Sequence, residues 1–211
     1  MDLEKYKNDG WGLSRVALDK LIECVESFDS SSIKVAEFGS GTSTRFFVDL
    51  SKESKKEILI TSFDNDLKYS YQKIEGDLVD LRITDLVECS DSAYEKMFEN
   101  KVININDMKV KTSPLHTRQK NNFYDIKNGD LSGNYDIMVL DGPHGNGRNI
   151  SFLHMKDHLK SGSYVLIDDY THYDFVERFL SIFEAEEFFK NNTGMDSQWE
   201  NGGDFVIYKV K

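Results

Sequence analysis

The sequence has little of what marks a secreted, membrane-spanning or nucleic-acid-binding protein. Its 211 residues include two cysteines, Cys24 and Cys89, far apart and in no metal-type spacing. Neither a disulfide framework nor a thiolate metal site is expected from them. There are two prolines, Pro114 and Pro143, no low-complexity linker and no internal repeat, which argues against a multidomain or repeat architecture. No apolar run approaches the ~18–20 residues needed to span a bilayer. The opening MDLEKYKNDG lacks the apolar core behind a basic end that makes a secretory leader. Positive charge is also scarce: 26 Lys and Arg stand against 37 Asp and Glu, a formal net charge of -11. That balance argues against nucleic-acid phosphates and against an anionic membrane surface as partners. A cytoplasmic protein with one domain over residues 1–211 is expected.

What the chain does contain is 39% hydrophobic and 12% aromatic residues, enough to bury a sizeable core at this length. Residues 1–32 read as a helical lead-in. In LSRVALDKLIECVESF, Val16, Leu18, Leu21, Ile22 and Val25 fall near helical spacing, Ser14 stands at the N-cap, and the serines from Ser30 to Ser32 end the run. From there strand and helix patterns alternate. IKVAEF, EILITSFD, YDIMVLD and GSYVLIDD are short apolar runs of the buried-strand type, and DLVECS is a weaker third strand. STRFFVDLSK, LKYSYQKI, ISFLHMKDHL and YDFVERFLSIF read as the helices between them. EAEEFFKN and DFVIYKV close the chain as two strands, and the NGG before the last points to an antiparallel final pair. Strands separated by helices pair in parallel, so the expected fold class is α/β with a doubly wound, mostly parallel sheet. An insertion at about 92–133 breaks the rhythm. It opens with the helical SAYEKMFE and continues through a long polar segment, locally basic at Lys109, Lys111, Arg118 and Lys120. It reads as a solvated excursion with a small hairpin or as a lid facing a substrate.

The stretch VAEFGSGTSTRFF, Val35 to Phe47, raises the question of a ligand. In an open parallel sheet, ligands sit beyond the carboxyl ends of the strands, near the point where strand order reverses. Gly39 and Gly41, interleaved with Ser40 and Thr42, form the first strand-to-helix turn there. A dinucleotide fingerprint requires a third glycine where Thr44 stands. Glu37, two residues before Gly39, disfavours a pyrophosphate and suits a cation. S-adenosylmethionine carries a sulfonium and an amino group and no phosphate, so Glu37, Gly39, Ser40, Gly41 and Thr42 are expected to hold it. Asp64, ending the second strand in SFDND, is placed to accept from ribose hydroxyls. In ECSDSA, Asp91 or Ser92 is placed to meet the adenine edge. Trp11, between two glycines ahead of the first helix, covers the core or closes over the cofactor. The rival readings are a dinucleotide-dependent oxidoreductase and a non-catalytic S-adenosylmethionine-binding module.

A second set of residues follows the later strands. Asp141 ends one, and Asp168 with Asp169 ends the next. Three carboxylates converging in one cleft call for a divalent cation or for basic partners. A metal there could hold substrate hydroxyl oxygens and lower the pKa of one. His144, in the glycine-rich GPHGNG, is the better candidate for a general base, ahead of His172. Arg148 either neutralises Asp141, binds an anionic substrate or lies on the surface. His154 and His158, four residues apart, read as one face of an amphipathic helix.

Through VAEFGSGTST, SFDND, YDIMVLDG and YVLIDDY, the chain from about Ile33 onward resembles the class I S-adenosylmethionine-dependent methyltransferases. The resemblance implies a seven-stranded sheet with a reversed last strand. The later acids look like those of the metal-dependent O-methyltransferases. The catechol type has an acid after the fourth strand and Asp-Asn after the fifth, and the macrocin O-methyltransferase type has an IDDY-like end to the fifth, closer to LIDDY here. On that basis Asp141, Asp168 and Asp169 are expected to bind Mg²⁺ or another divalent cation, with Asp141 and His144 catalytic. DGPHGNGRN departs from both types. The implied reaction is methyl transfer from S-adenosylmethionine to a hydroxyl oxygen of a small molecule, a sugar foremost. Homo-oligomerisation is left open.

Overall fold

The computed structural model describes residues 1–7, 12–68, 78–110, 120–193 and 202–211. Trp11, Lys111, Arg118 and most of the expected LKYSYQKI helix lie outside them.

After a short 3-10 turn, Leu3–Tyr6, come α1 (Arg15–Glu26), β1 (Ser32–Phe38), α2 (Thr42–Glu53), β2 (Glu57–Asp64), β3 (Val79–Ile83) and β4 (Leu86–Glu88). Next are α3 (Asp91–Asn100), β5 (Lys109–Val110), β6 (Asn122–Tyr124), β7 (Tyr135–Leu140), α4 (Ile150–Met155), β8 (Leu159–Asp168), α5 (Phe175–Ile182), β9 (Ala185–Asn192) and β10 (Asp204–Val210). The Ser14 hydroxyl caps α1 by accepting the Ala17 N–H at 3.2 Å, as its position before the apolar stripe predicts.

The main sheet has seven strands in the order β3-β2-β1-β7-β8-β10-β9. The first five are parallel, whereas β10 runs antiparallel to both β8 and β9. This is the mixed α/β arrangement, with a reversed last strand, that the sequence led us to expect. Strand order reverses at β1, whose neighbours β2 and β7 lead to opposite sides. The crevice beyond the ends of β1 and β7 is therefore the switch point.

Alternation of side chains sends Ile33 and Val35 to one face, with α1 and α2, and Ala36 and Phe38 to the other, with α3, α4, α5 and β6. Both faces are covered, which is why the central strands read as continuous apolar runs.

Three expectations need correction. Leu86–Glu88, from DLVECS, is a strand, but it is the middle of a separate three-stranded sheet, β5-β4-β6. The third parallel position belongs to β3, VDLRI, an edge strand with Asp80 exposed and Arg82 half-buried. An edge strand does not carry the apolar signature of a central one. Within the insertion, β5 and β6 each pair with β4, so neither is half of a hairpin with the other, and β6 is fully buried rather than solvated. The helix expected over ISFLHMKDHL stops at Met155, because Leu159 already pairs with Tyr135 as part of β8.

Candidate functional site

The glycine turn is held by backbone contacts to both neighbouring strands. The Gly39 N–H donates to the Phe63 carbonyl at 2.9 Å, and the Asp141 and Gly142 amides donate to the Phe38 carbonyl at 2.9 and 2.6 Å. Gly39 has φ +100, a region side chains rarely adopt, and a Cβ there would stand 2.7 Å from the Gly142 nitrogen. Glycine is required on both counts.

Glu37 is buried completely. Its carboxylate accepts from the hydroxyls of Ser43 (2.6 Å), Thr44 and Ser62. One side chain thus ties β1 to β2 and to the first turn of α2, where negative charge is favoured by the helix dipole. Loss of water pushes its pKa up to about 7, against the three hydroxyl bonds that lower it. The sequence placed Glu37 against a cationic ligand; here it is fully buried, and its three hydroxyl bonds brace the turn. Thr44, in the place of a third glycine, is also buried, and its hydroxyl accepts the Gly41 N–H at 2.9 Å. Ser40 is nearly buried and Thr42 half-buried at the start of α2.

Asp64 ends β2 with 8% of its surface exposed. Its carboxylate accepts the N–H groups of Ser40 (3.0 Å), Asn65 (2.7 Å) and Asp66 (2.9 Å). Burial raises its pKa, and the backbone bonds oppose that rise. A carboxylate accepts about four hydrogen bonds, so capacity remains for a ligand hydroxyl. Asp91 opens α3, exposed, with its carboxylate bonded to Lys120 (2.6 Å) and the Asn121 amide (2.7 Å). It lines a cavity of about 170 Å³ with Tyr94, Asn121, Asn146, Asp174 and Arg178. Ser92 is exposed beside it.

The structure brings the later acids together. Asp141 and Asp168 are half-buried, and their carboxyl groups are close enough to act on each other. Burial, and repulsion from Asp141 and Asp169, push the Asp168 pKa well above the ordinary carboxyl range. Asp169 turns elsewhere: its Oδ2 lies 3.3 Å from Arg148 Nη1, and its Oδ1 lies 3.8 Å from His172 Nδ1. The oxygen donors suit a hard divalent cation, but their arrangement does not. One of the expected ligands, Asp169, is engaged by a buried guanidinium that reaches into the cluster. Among the described residues, no three His, Cys, Asp or Glu side chains are grouped to hold a metal ion.

His144 is exposed on the loop after β7, between the buried Pro143 and Gly145. His154 packs its ring on Phe123 with centroids 5.9 Å apart, and burial lowers its pKa to about 4. His158 Nδ1 lies 2.7 Å from the Gly133 carbonyl oxygen. Sequence reasoning missed Tyr124. This buried phenol on β6 stands so close to Gly142 that a Cβ there would meet its oxygen at 2.5 Å. Burial drives its pKa well up, and Asp64, Arg148, Asp141 and Glu37 all act on it electrostatically. No local pattern in NFY announces that position.

No protein-family model matches the chain, and no curated protein matches it in sequence. Several solved structures are similar in fold. A protein of Corynebacterium glutamicum, provisionally assigned as a spermidine synthase, is 11% identical and covers 97% of this chain and 67% of its own, with a TM-score of 0.49. One of Staphylococcus aureus, provisionally assigned as a caffeoyl-CoA O-methyltransferase, is 11% identical over 99% of this chain and 90% of its own, also at 0.49. The N160 form of CmcI with SAH is 17% identical over 97% and 81%, at 0.46. These are likenesses of architecture, and no residue's role is carried across from them. Among the described residues, no helix is long and apolar enough to cross a membrane.

Proposed function

We propose that this chain is an S-adenosylmethionine-dependent methyltransferase acting on a hydroxyl oxygen of a small molecule, with a sugar as the leading acceptor. The observation that carries this reading is the glycine turn at the switch point. Gly39 is pressed onto Gly142 while Asp64 holds the Ser40 amide. That leaves a floor of bare backbone with a carboxylate at its edge, where a nucleoside's ribose hydroxyls would be met. A dinucleotide fits less well. The bare helix end that a pyrophosphate requires is here backed by the Glu37 carboxyl and closed by the Thr44 hydroxyl.

When bound, the cofactor supplies the electrophilic methyl group and the thioether that departs from it. The chain's own task is alignment and proton removal. Gly39, Ser40, Gly41 and Thr42 line the turn, Asp64 takes the ribose, and Asp91 or Ser92 takes the adenine edge. Glu37 keeps the turn in shape from beneath. His144, three residues beyond Asp141, takes the proton from the acceptor hydroxyl, and Asp141 orients that hydroxyl.

The test is transfer of a labelled methyl group from S-adenosylmethionine to a panel of sugars and catechols. Label on oxygen, lost in His144→Ala, supports the reading. NADH fluorescence enhancement, with no label transferred, favours the oxidoreductase instead.

A further inference from the structure

We infer that Arg148 is the resident cation of the Asp141–Asp168–Asp169 cluster and occupies the role a divalent ion would otherwise take. The inference concerns the charge balance of the site and does not depend on which cofactor binds at the glycine turn.

Arg148 is 5% exposed. A buried guanidinium must be paired and hydrogen-bonded to persist. Its Nε donates to the Pro143 carbonyl at 2.7 Å, reaching back across the loop that follows Asp141. Its Nη1 faces the Asp168 carbonyl oxygen at 3.4 Å and Asp169 Oδ2 at 3.3 Å. The guanidinium also lies 5.9 Å from the centroid of the Phe175 ring. One cation therefore touches the loop after β7 and both residues that end or follow β8.

The surrounding chain holds it there. Gly147 packs against β6 so closely that a Cβ would enter the Asn122 backbone. That contact pins the 3-10 turn Asn146–Asn149, which carries Arg148 inward. Asp169 adopts φ +55, uncommon for a residue with a side chain, and its carboxylate meets the guanidinium from that backbone. Three acids converging in one crevice need compensation. Arginine supplies it as a fixed fork of donors that cannot be deprotonated.

The experiment is calorimetric titration of MgCl₂ into chelator-treated wild type, Arg148→Lys and Arg148→Met. Wild type and Arg148→Lys should show no saturable Mg²⁺ binding in the millimolar range. Arg148→Met, left with uncompensated carboxylates, should gain binding at least about tenfold tighter than any seen in wild type. Should Arg148→Met unfold, recovery of its circular dichroism by Mg²⁺ but not by Na⁺ supports the proposal, and recovery by neither contradicts it. Saturable one-site Mg²⁺ binding by wild type overturns it, as does a folded Arg148→Met that gains none.

Discussion

Gly39 and Gly142 close the floor of the crevice between β1 and β7: a Cβ on Gly39 would stand 2.7 Å from the Gly142 nitrogen, and one on Gly142 would stand 2.9 Å from the Gly39 Cα. Two strands that diverge to opposite sides are thus joined at their ends by bare backbone. The glycine turn is shaped by that contact as much as by the conformational freedom of glycine.

Gly39→Ala should therefore destabilise the protein by about 2–4 kcal/mol, because it adds a backbone clash to a strained φ. Gly162→Ala is the control. Gly162 has φ +89 but nothing within 4 Å of its Cβ position, so only the backbone term applies, about 1–2 kcal/mol. Urea unfolding of both variants separates the terms. Equal losses would show that the Gly142 contact has no weight.

Glu37 should make stability fall as pH rises. Its pKa is raised from 4.5 to about 7, so between those values the folded state binds more protons than the unfolded one. The stabilisation is fully present below pH 4.5 and is lost as pH passes through about 7, amounting to about 3 kcal/mol for this group. Glu37→Gln should flatten that part of the profile. A Glu37→Gln profile as steep as wild type would place the slope elsewhere.

Thr44→Val should be more damaging at high pH than at low. The Thr44 hydroxyl donates to Glu37 and accepts from Gly41, and a hydrogen bond to a charged group is worth about 1.5–3 kcal/mol, more than one to a neutral carboxyl. Paired melts at pH 5 and pH 8 measure the difference. The same loss at both would mean that the Glu37 bond is indifferent to ionisation.

Asp91→Ala should lower the melting temperature only slightly: the exposed pair with Lys120 contributes little, and the loss comes from the bond to the buried Asn121 amide. It should nevertheless weaken S-adenosylhomocysteine binding several-fold if Asp91 meets the adenine edge. Unaltered affinity would leave Ser92 as the residue to test.

The central sheet was legible because β1, β2, β7 and β8 are buried and apolar, and β10 follows a clear turn signal. β3 was not, since an edge strand carries Asp80 and Arg82 where a central strand has apolar residues. In DLVECS the strand itself was legible but its partner was not: pairing with β5 and β6 is a long-range property that no short window contains. The same limit applies at the site. Glycine spacing and strand-end acids marked Gly39, Asp64, Asp141 and Asp168 locally. The burial of Glu37, the Arg148 contacts and the approach of Tyr124 arise only when distant segments meet. Arg148 in particular read more readily as a surface residue at a helix start, whereas the packing of Gly147 against β6 turns it inward.

The measurement that bears most directly on the central claim is calorimetric titration of S-adenosylhomocysteine into wild type and Asp64→Asn, with melting curves confirming that both are folded. The predicted result is one-to-one binding by wild type and at least about tenfold weaker binding by Asp64→Asn, the loss of roughly one charge-assisted hydrogen-bond pair. No binding by folded wild type would contradict the methyltransferase reading outright. Equal binding by both proteins would move the nucleoside away from the end of β2.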